Sequence, residues 1–114
     1  KRQHLFLRWM VRSDQEGADL GIWSVDPARL VMPCDVHVAR IGHALGLSSR
    51  REPSRRSADQ LTARLREIDP SDPVRFDFAL SHLGISGGCR GRRVDTVCSP
   101  CDLRSACRWW AVPE

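Results

Sequence analysis

Apolar positions gather in four stretches of this chain, and each repeats with a helical period. In residues 1–12, KRQHLFLRWMVR, the apolar side chains Leu5, Phe6, Leu7, Trp9, Met10 and Val11 cover most of the girth. That pattern predicts a buried helix. One stripe breaks it: Lys1, His4, Arg8 and Arg12, spaced three, four and four. Such spacing sets them on one face, either a solvated basic face or one turned to an anionic ligand.

A polar loop follows over Ser13–Gly21. Asp26-Pro27 predicts a short helical turn to Leu30, since Asp caps and Pro suits the first helical position. In LVMPCDVHVARIGHALGL, Pro33 keeps Met32 extended. Asp35 is placed to cap a helix ending near Ala44 or Leu45. Val38, Ile41 and Leu45 form its buried stripe, and Gly46 stops it. After the basic loop SSRREPSRR, Ser57 is read as the cap of a helix with Leu61, Leu65 and Ile68 inward. Asp72-Pro73 starts a further helix carrying Val74, Phe76, Phe78, Ala79, Leu80, Leu83 and Ile85, apolar on most sides and therefore central. Gly84, Gly87 and Gly88 end it. With no convincing strand and no repeat, the expected fold class is all-α.

A chain of 114 residues is one small domain or part of one. No apolar run approaches membrane-spanning length, and no signal peptide is recognisable. The chain is therefore expected to be cytoplasmic; it is read as a monomer, although no feature of the sequence bears on oligomeric state. The net charge is +4 and the isoelectric point near 9.1. Lys1 is the only lysine, and the other 17 basic residues are arginine. Arginine suits bidentate contacts to phosphate, although an arginine-rich codon bias produces the same excess. In the basic loop, Arg50, Arg51, Arg55 and Arg56 are either solvated surface or phosphate contacts.

Five cysteines without a secretion signal argue against a disulfide scaffold. Four are close together, as Cys89-x8-Cys98-x2-Cys101-x5-Cys107. Structural zinc usually takes two Cys-x2-Cys pairs, each a tight knuckle. Here only one such pair exists, and its partners stand far off, so the loop can wrap a larger object. That favours a [4Fe–4S] cluster, with zinc as the alternative and disulfides or free thiols behind it. Arg90, Arg92, Arg93, Arg104 and Arg108 surround these cysteines. They can meet DNA phosphates or simply offset the charge of a thiolate-ligated cluster. Trp109 and Trp110 are expected to pack on the domain rather than stack on bases. Cys34 stands apart and reads as a small core residue rather than a nucleophile.

The cysteine loop resembles the Cys-x6-Cys-x2-Cys-x5-Cys loop that closes endonuclease III and the adenine glycosylases, members of the helix-hairpin-helix DNA glycosylase superfamily. It has two residues more in its first interval. CDVHVARIGHALGL is similar to their Val-Asp-Thr-His segment, with Asp35 at the position of the catalytic carboxylate and His37 at that of the histidine. The segments KRQHLFLRWMVR, DLGIW, PCDVHVAR, LTARLREIDPSDPVRFDFAL and LGI more closely resemble an uncharacterised bacterial family, domain of unknown function 2400. That likeness covers residues 1–86, and the cluster loop and tail, 87–114, extend it. Family members are longer, which implies that this chain corresponds to their C-terminal part.

The superfamily resemblance implies a DNA partner, a [4Fe–4S] cluster on Cys89, Cys98, Cys101 and Cys107, and base-excision repair. Lys1 is similar to the lyase-type lysine that opens the second hairpin helix. Lys1 and Asp35 are then the catalytic candidates, and Arg8, Arg12, Arg90, Arg92 and Arg93 the DNA contacts. The other reading of Asp35 is a plain helix cap, and of the whole chain a non-catalytic DNA-binding module. His37 is expected to pack at its helix start rather than orient Asp35.

Overall fold

A computed structural model of the chain describes residues 1–13 and 19–111. Five α-helices appear in order: α1 (Arg2–Val11), α2 (Val36–Ala44), α3 (Arg55–Ile68), α4 (Asp77–Ile85) and the short α5 (Asp95–Cys98). Among the described residues there is no strand, only an isolated antiparallel bridge between Ser13 and Leu20. The fold is all-α as expected. Part of the polar loop read at Ser13–Gly21 lies outside the described residues.

Helix α2 is the hub. Asp35 caps it by accepting from the Val38 backbone N–H at 2.8 Å, and Gly46, at φ +75°, ends it. Val38 and Ile41 are buried against Leu61 and Leu65 of α3 and Leu80 of α4. Two glycines allow the close approach. A β-carbon on Gly42 would stand 2.3 Å from Leu61, and one on Gly84 would stand 2.9 Å from His37. Met32 and Cys34 complete the core ahead of α2. Thr62 is buried on α3 yet satisfied, accepting from the Met32 N–H at 2.9 Å and donating to the Ala58 carbonyl. The turn at Pro27–Arg29 is capped by Asp26 and tied to α3 by the Arg66 guanidinium on the Ala28 carbonyl.

Several expectations need correction, among them the central place of α4, whose Phe78, Ala79 and Ile85 are exposed. The cap of α3 is Ser54, which accepts from the Ser57 N–H, while Ser57 turns its hydroxyl to the Glu52 carbonyl. Ile68 is solvent-exposed. Asp72 caps nothing, because both its oxygens are taken by Arg12 at 2.9 Å. A 3-10 turn over Pro73–Phe76 therefore precedes α4.

The largest correction concerns α1. Phe6 (48%), Leu7 and Trp9 are exposed, whereas Arg8 (1%) and Arg12 are buried. The arginines go inward because carboxylates wait there. Arg8 lies 3.6 Å from both Asp19 and Asp77, and Arg12 pairs with Asp19 and Asp72. The Arg8 guanidinium also lies over the Phe78 ring, 4.2 Å from its centroid. Arg8 and Arg12 thus belong neither to a solvated stripe nor to a face open to DNA.

Burial pushes the Asp77 carboxyl above its ordinary pKa, against the pull of Arg8. The folded state therefore holds this proton more tightly than the unfolded state, so stability falls as pH rises through the raised value. Acidification from neutrality should stabilise the protein relative to Asp77→Asn until unfolded Asp titrates near about 3.9. Urea midpoints of the two proteins, measured across this range, check the sign. A gap that stays constant, or turns in favour of the wild type towards alkaline pH, contradicts it.

Candidate functional site: a cysteine-lined cavity and an adjoining cleft

The cysteine segment is fastened to the helical body at several points. Cys89 donates its backbone N–H to the Leu83 carbonyl at the end of α4, 3.1 Å away. Its own carbonyl accepts from Arg40 of α2 at 3.0 Å, and the same Arg40 nitrogen lies 3.1 Å from His37 Nδ1. Gly91, at φ +66°, presses so closely on the Arg40 stem that a β-carbon there would overlap it. Further on, the Arg108 N–H donates to the Ala44 carbonyl at 2.9 Å, closing the C-terminal end of α2.

Within the segment, Cys98 ends α5 and its sulfur accepts from the Val94 N–H at 3.4 Å. The Cys101 N–H donates to the Cys98 carbonyl at 3.0 Å, the tight turn expected of the x2 pair. All four thiols are free of disulfides. All four line a single cavity of about 530 Å³, whose other walls include Ile41, Leu45, Leu83, Val97 and Trp109. Asp102, Arg92 and Arg104 stand among its polar lining. Among the described residues, no three His, Cys, Asp or Glu side chains are close enough together to hold one metal ion. What the segment does present is four free thiols on the lining of one largely apolar cavity. Hydrogen bonds to sulfur and burial are the means by which a protein tunes a thiolate-ligated cluster.

Trp109 and Trp110 pack as expected. Trp109 meets His43 at 6.0 Å between ring centroids, and Arg93 lies 4.5 Å over Trp110. Arg93 also pairs with Asp95 and donates to the Trp110 carbonyl. Arg90 and Arg92 are exposed.

Lys1 and Asp35 lie on a separate cleft of about 890 Å³, lined also by His4, Cys34, His37, Ser54 and Arg55. The cleft sits where α1, α2 and α3 all begin, so three helix N-termini open towards it. Those ends carry partial positive charge. Burial, aided by positive neighbours that include Arg55, lowers the His4 pKa, while burial raises that of the Cys34 thiol. Asp35 Oδ1 is engaged by the Val38 N–H, and among the described residues Oδ2 accepts no hydrogen bond. His37 contacts Gly84 and Arg40 rather than Asp35, so it packs at the helix start.

Sequence reasoning missed Arg40, and read Arg51 as solvated surface or a phosphate contact, whereas both hold the cysteine segment in place. Arg51 donates to the Gly91 and Arg90 carbonyls at 3.2 and 3.4 Å. Their partners lie 49 and about 40 residues away, and nothing local in the chain marks such contacts.

Residues 1–86 match a family model described as "Protein of unknown function (DUF2400)". No curated protein and no solved structure matches the chain.

Proposed function

The chain belongs to that family, DUF2400, and from this premise we propose a DNA-binding protein of the glycosylase/AP-lyase type, acting in base-excision repair. A [4Fe–4S] cluster on Cys89, Cys98, Cys101 and Cys107 completes the reading, within a helix-hairpin-helix glycosylase fold. The observation that carries it is the meeting of Lys1 and Asp35, distant in sequence, on one open cleft. The superfamily resemblance assigns catalytic roles to both of these residues.

Glycosylases flip a nucleotide out of the duplex and break the bond between base and sugar. Lys1 Nζ would attack C1′ of the flipped sugar, forming the C1′–N bond as the base departs with the electron pair. Asp35 would take the amine proton and face the positive charge that develops on the sugar. Oδ2 is the oxygen for this task, since Oδ1 caps α2. Arg90 and Arg92, exposed beside the cavity, would meet backbone phosphates.

A cluster bound in the cavity would cross-link the segment through four iron–thiolate bonds. Room for an eight-atom body supports this over zinc. A single ion ligated at about 2.3 Å needs the four sulfurs drawn onto one point.

One observation favours a second reading. The Asp35 carboxylate is already employed as a cap, which suits a non-catalytic DNA-binding module with a structural metal site. The metal is tested first. Protein purified without oxygen should be brown and contain about four irons per chain with matching sulfide. Colourless protein with one zinc would overturn the cluster. DNA affinity should drop steeply with added salt, and its absence would remove both DNA readings.

A further inference from the structure

The segment joining α2 to α3 belongs to neither site yet touches both. It carries Arg50 and Arg51, and Arg55 and Arg56 follow in the first turn of α3, all exposed. At one end Arg55 lines the cleft with Lys1 and Asp35. At the other, the Arg51 guanidinium holds the Gly91 and Arg90 carbonyls, so exposed Arg90 and Arg92 sit at the junction.

The segment is braced at both ends. Gln60 Oε1 accepts from the Ser48 hydroxyl, the Ser49 N–H and the Ser49 hydroxyl at 3.0–3.1 Å. Ser54 and Ser57 bind one another and the Glu52 carbonyl at the far end. Its positive charge reaches its neighbours. After burial, Arg108 and Arg51 are what depress the His43 imidazole on one flank, and Arg55 contributes to the lowering of His4 on the other. The acidic groups on the segment and beside it are Glu52 and Asp59, and Asp59 is paired with Arg55. Among the described residues, the side chains of Arg50 and Arg56 have no carboxylate or hydrogen-bond partner.

We infer that residues 48–56 and 90–92 form one arginine ridge that grips the phosphate backbone of duplex DNA between the cleft and the cysteine cavity. This rests on the DNA reading above and adds Arg50, Arg51 and Arg56 to it. Guanidinium groups suit phosphate because their planar fork donates two parallel hydrogen bonds. Such contacts carry no sequence information but fix register on the duplex. A ridge that ends at the cleft would set which nucleotide stands over Lys1 and Asp35.

The test is the salt dependence of duplex binding by the metal-loaded protein carrying Arg50→Gln and Arg56→Gln together. Each lost phosphate contact should reduce the slope of log K against log salt by about 0.9, and weaken binding about tenfold near 0.1 M salt. Metal content and melting temperature should stay unchanged. The control Arg64→Gln, on an exposed pair with Glu67, should bind as wild type does. An unchanged slope in the double variant, with Arg92→Gln still weakening binding, overturns the ridge and leaves the DNA reading standing. A wild type that binds no duplex overturns both. Equal affinity and slope on an RNA duplex overturns the assignment to DNA.

Discussion

Arg8→Gln is expected to destabilise the protein by about 3–5 kcal/mol, the usual cost of leaving buried charge uncompensated. Arg8 is almost wholly enclosed and stands between Asp19 and Asp77, whose side chains are equally buried. Glutamine fills much of the space but supplies no charge, so Asp77 would lose the guanidinium paired with it in a poorly solvated pocket, and Asp19 would keep only Arg12. Against a total of about 5–15 kcal/mol for a domain, the loss is large enough to lower the yield of folded protein. The position is demanding even in the wild type. Arg8 Nε, Arg8 Nη1 and Asp19 Oδ1 are buried without a hydrogen-bond partner, so Arg8 itself is held by charge, while the neighbouring Arg12 is hydrogen-bonded to Asp19 and Asp72. The exposed pair Arg64–Glu67 offers the contrast, since breaking it should cost no more than about 1 kcal/mol. Urea denaturation of both variants decides the matter. A loss under about 1 kcal/mol for Arg8→Gln would show that the pocket relaxes or admits water.

Asp35→Asn should separate two roles that coincide in one side chain. Asparagine ranks beside aspartate as an N-cap, so the bond to the Val38 N–H survives. Stability should move by no more than about 0.5 kcal/mol. On the proposed function, loss of the carboxylate removes the base and the negative charge beside the sugar. The lyase or glycosylase rate should fall by about 10²–10⁴-fold. Asp35→Ala should lose the same activity and about 1 kcal/mol of stability besides. If Asp35→Asn keeps the wild-type rate, or if neither protein shows any rate while DNA binding persists, Asp35 is only a cap and the non-catalytic reading prevails.

The contrast between α2 and α1 shows how much was legible in the chain. Asp35, Pro33 and Gly46 are local signals, and α2 begins and ends where they direct. Cys34 falls in the core, and Trp109 and Trp110 pack as expected. In α1 the apolar majority suggested burial, but the inward face is chosen by carboxylates outside the helix, Asp19 being 7 and Asp72 60 residues from Arg12. No periodicity within α1 encodes them. The same distant pairing takes Asp72 away from capping and delays the start of α4. At the start of α3 the cap is Ser54, three residues before the Ser57 that the sequence suggested. For the candidate sites, the residue types and the cysteine spacing were legible. The cleft shared by Lys1 and Asp35, and the bonds from Arg40 and Arg51 that dock the cysteine segment, depend on tertiary placement.

Borohydride trapping tests the proposal that Lys1 and Asp35 act together on DNA. Metal-loaded protein is incubated with duplex DNA containing an abasic site, reduced, and analysed by mass spectrometry. A covalent adduct is expected at the Lys1 side-chain nitrogen, absent in Lys1→Gln and strongly reduced in Asp35→Asn. No adduct from protein that binds the same DNA, or an undiminished adduct in Lys1→Gln, would contradict the proposal.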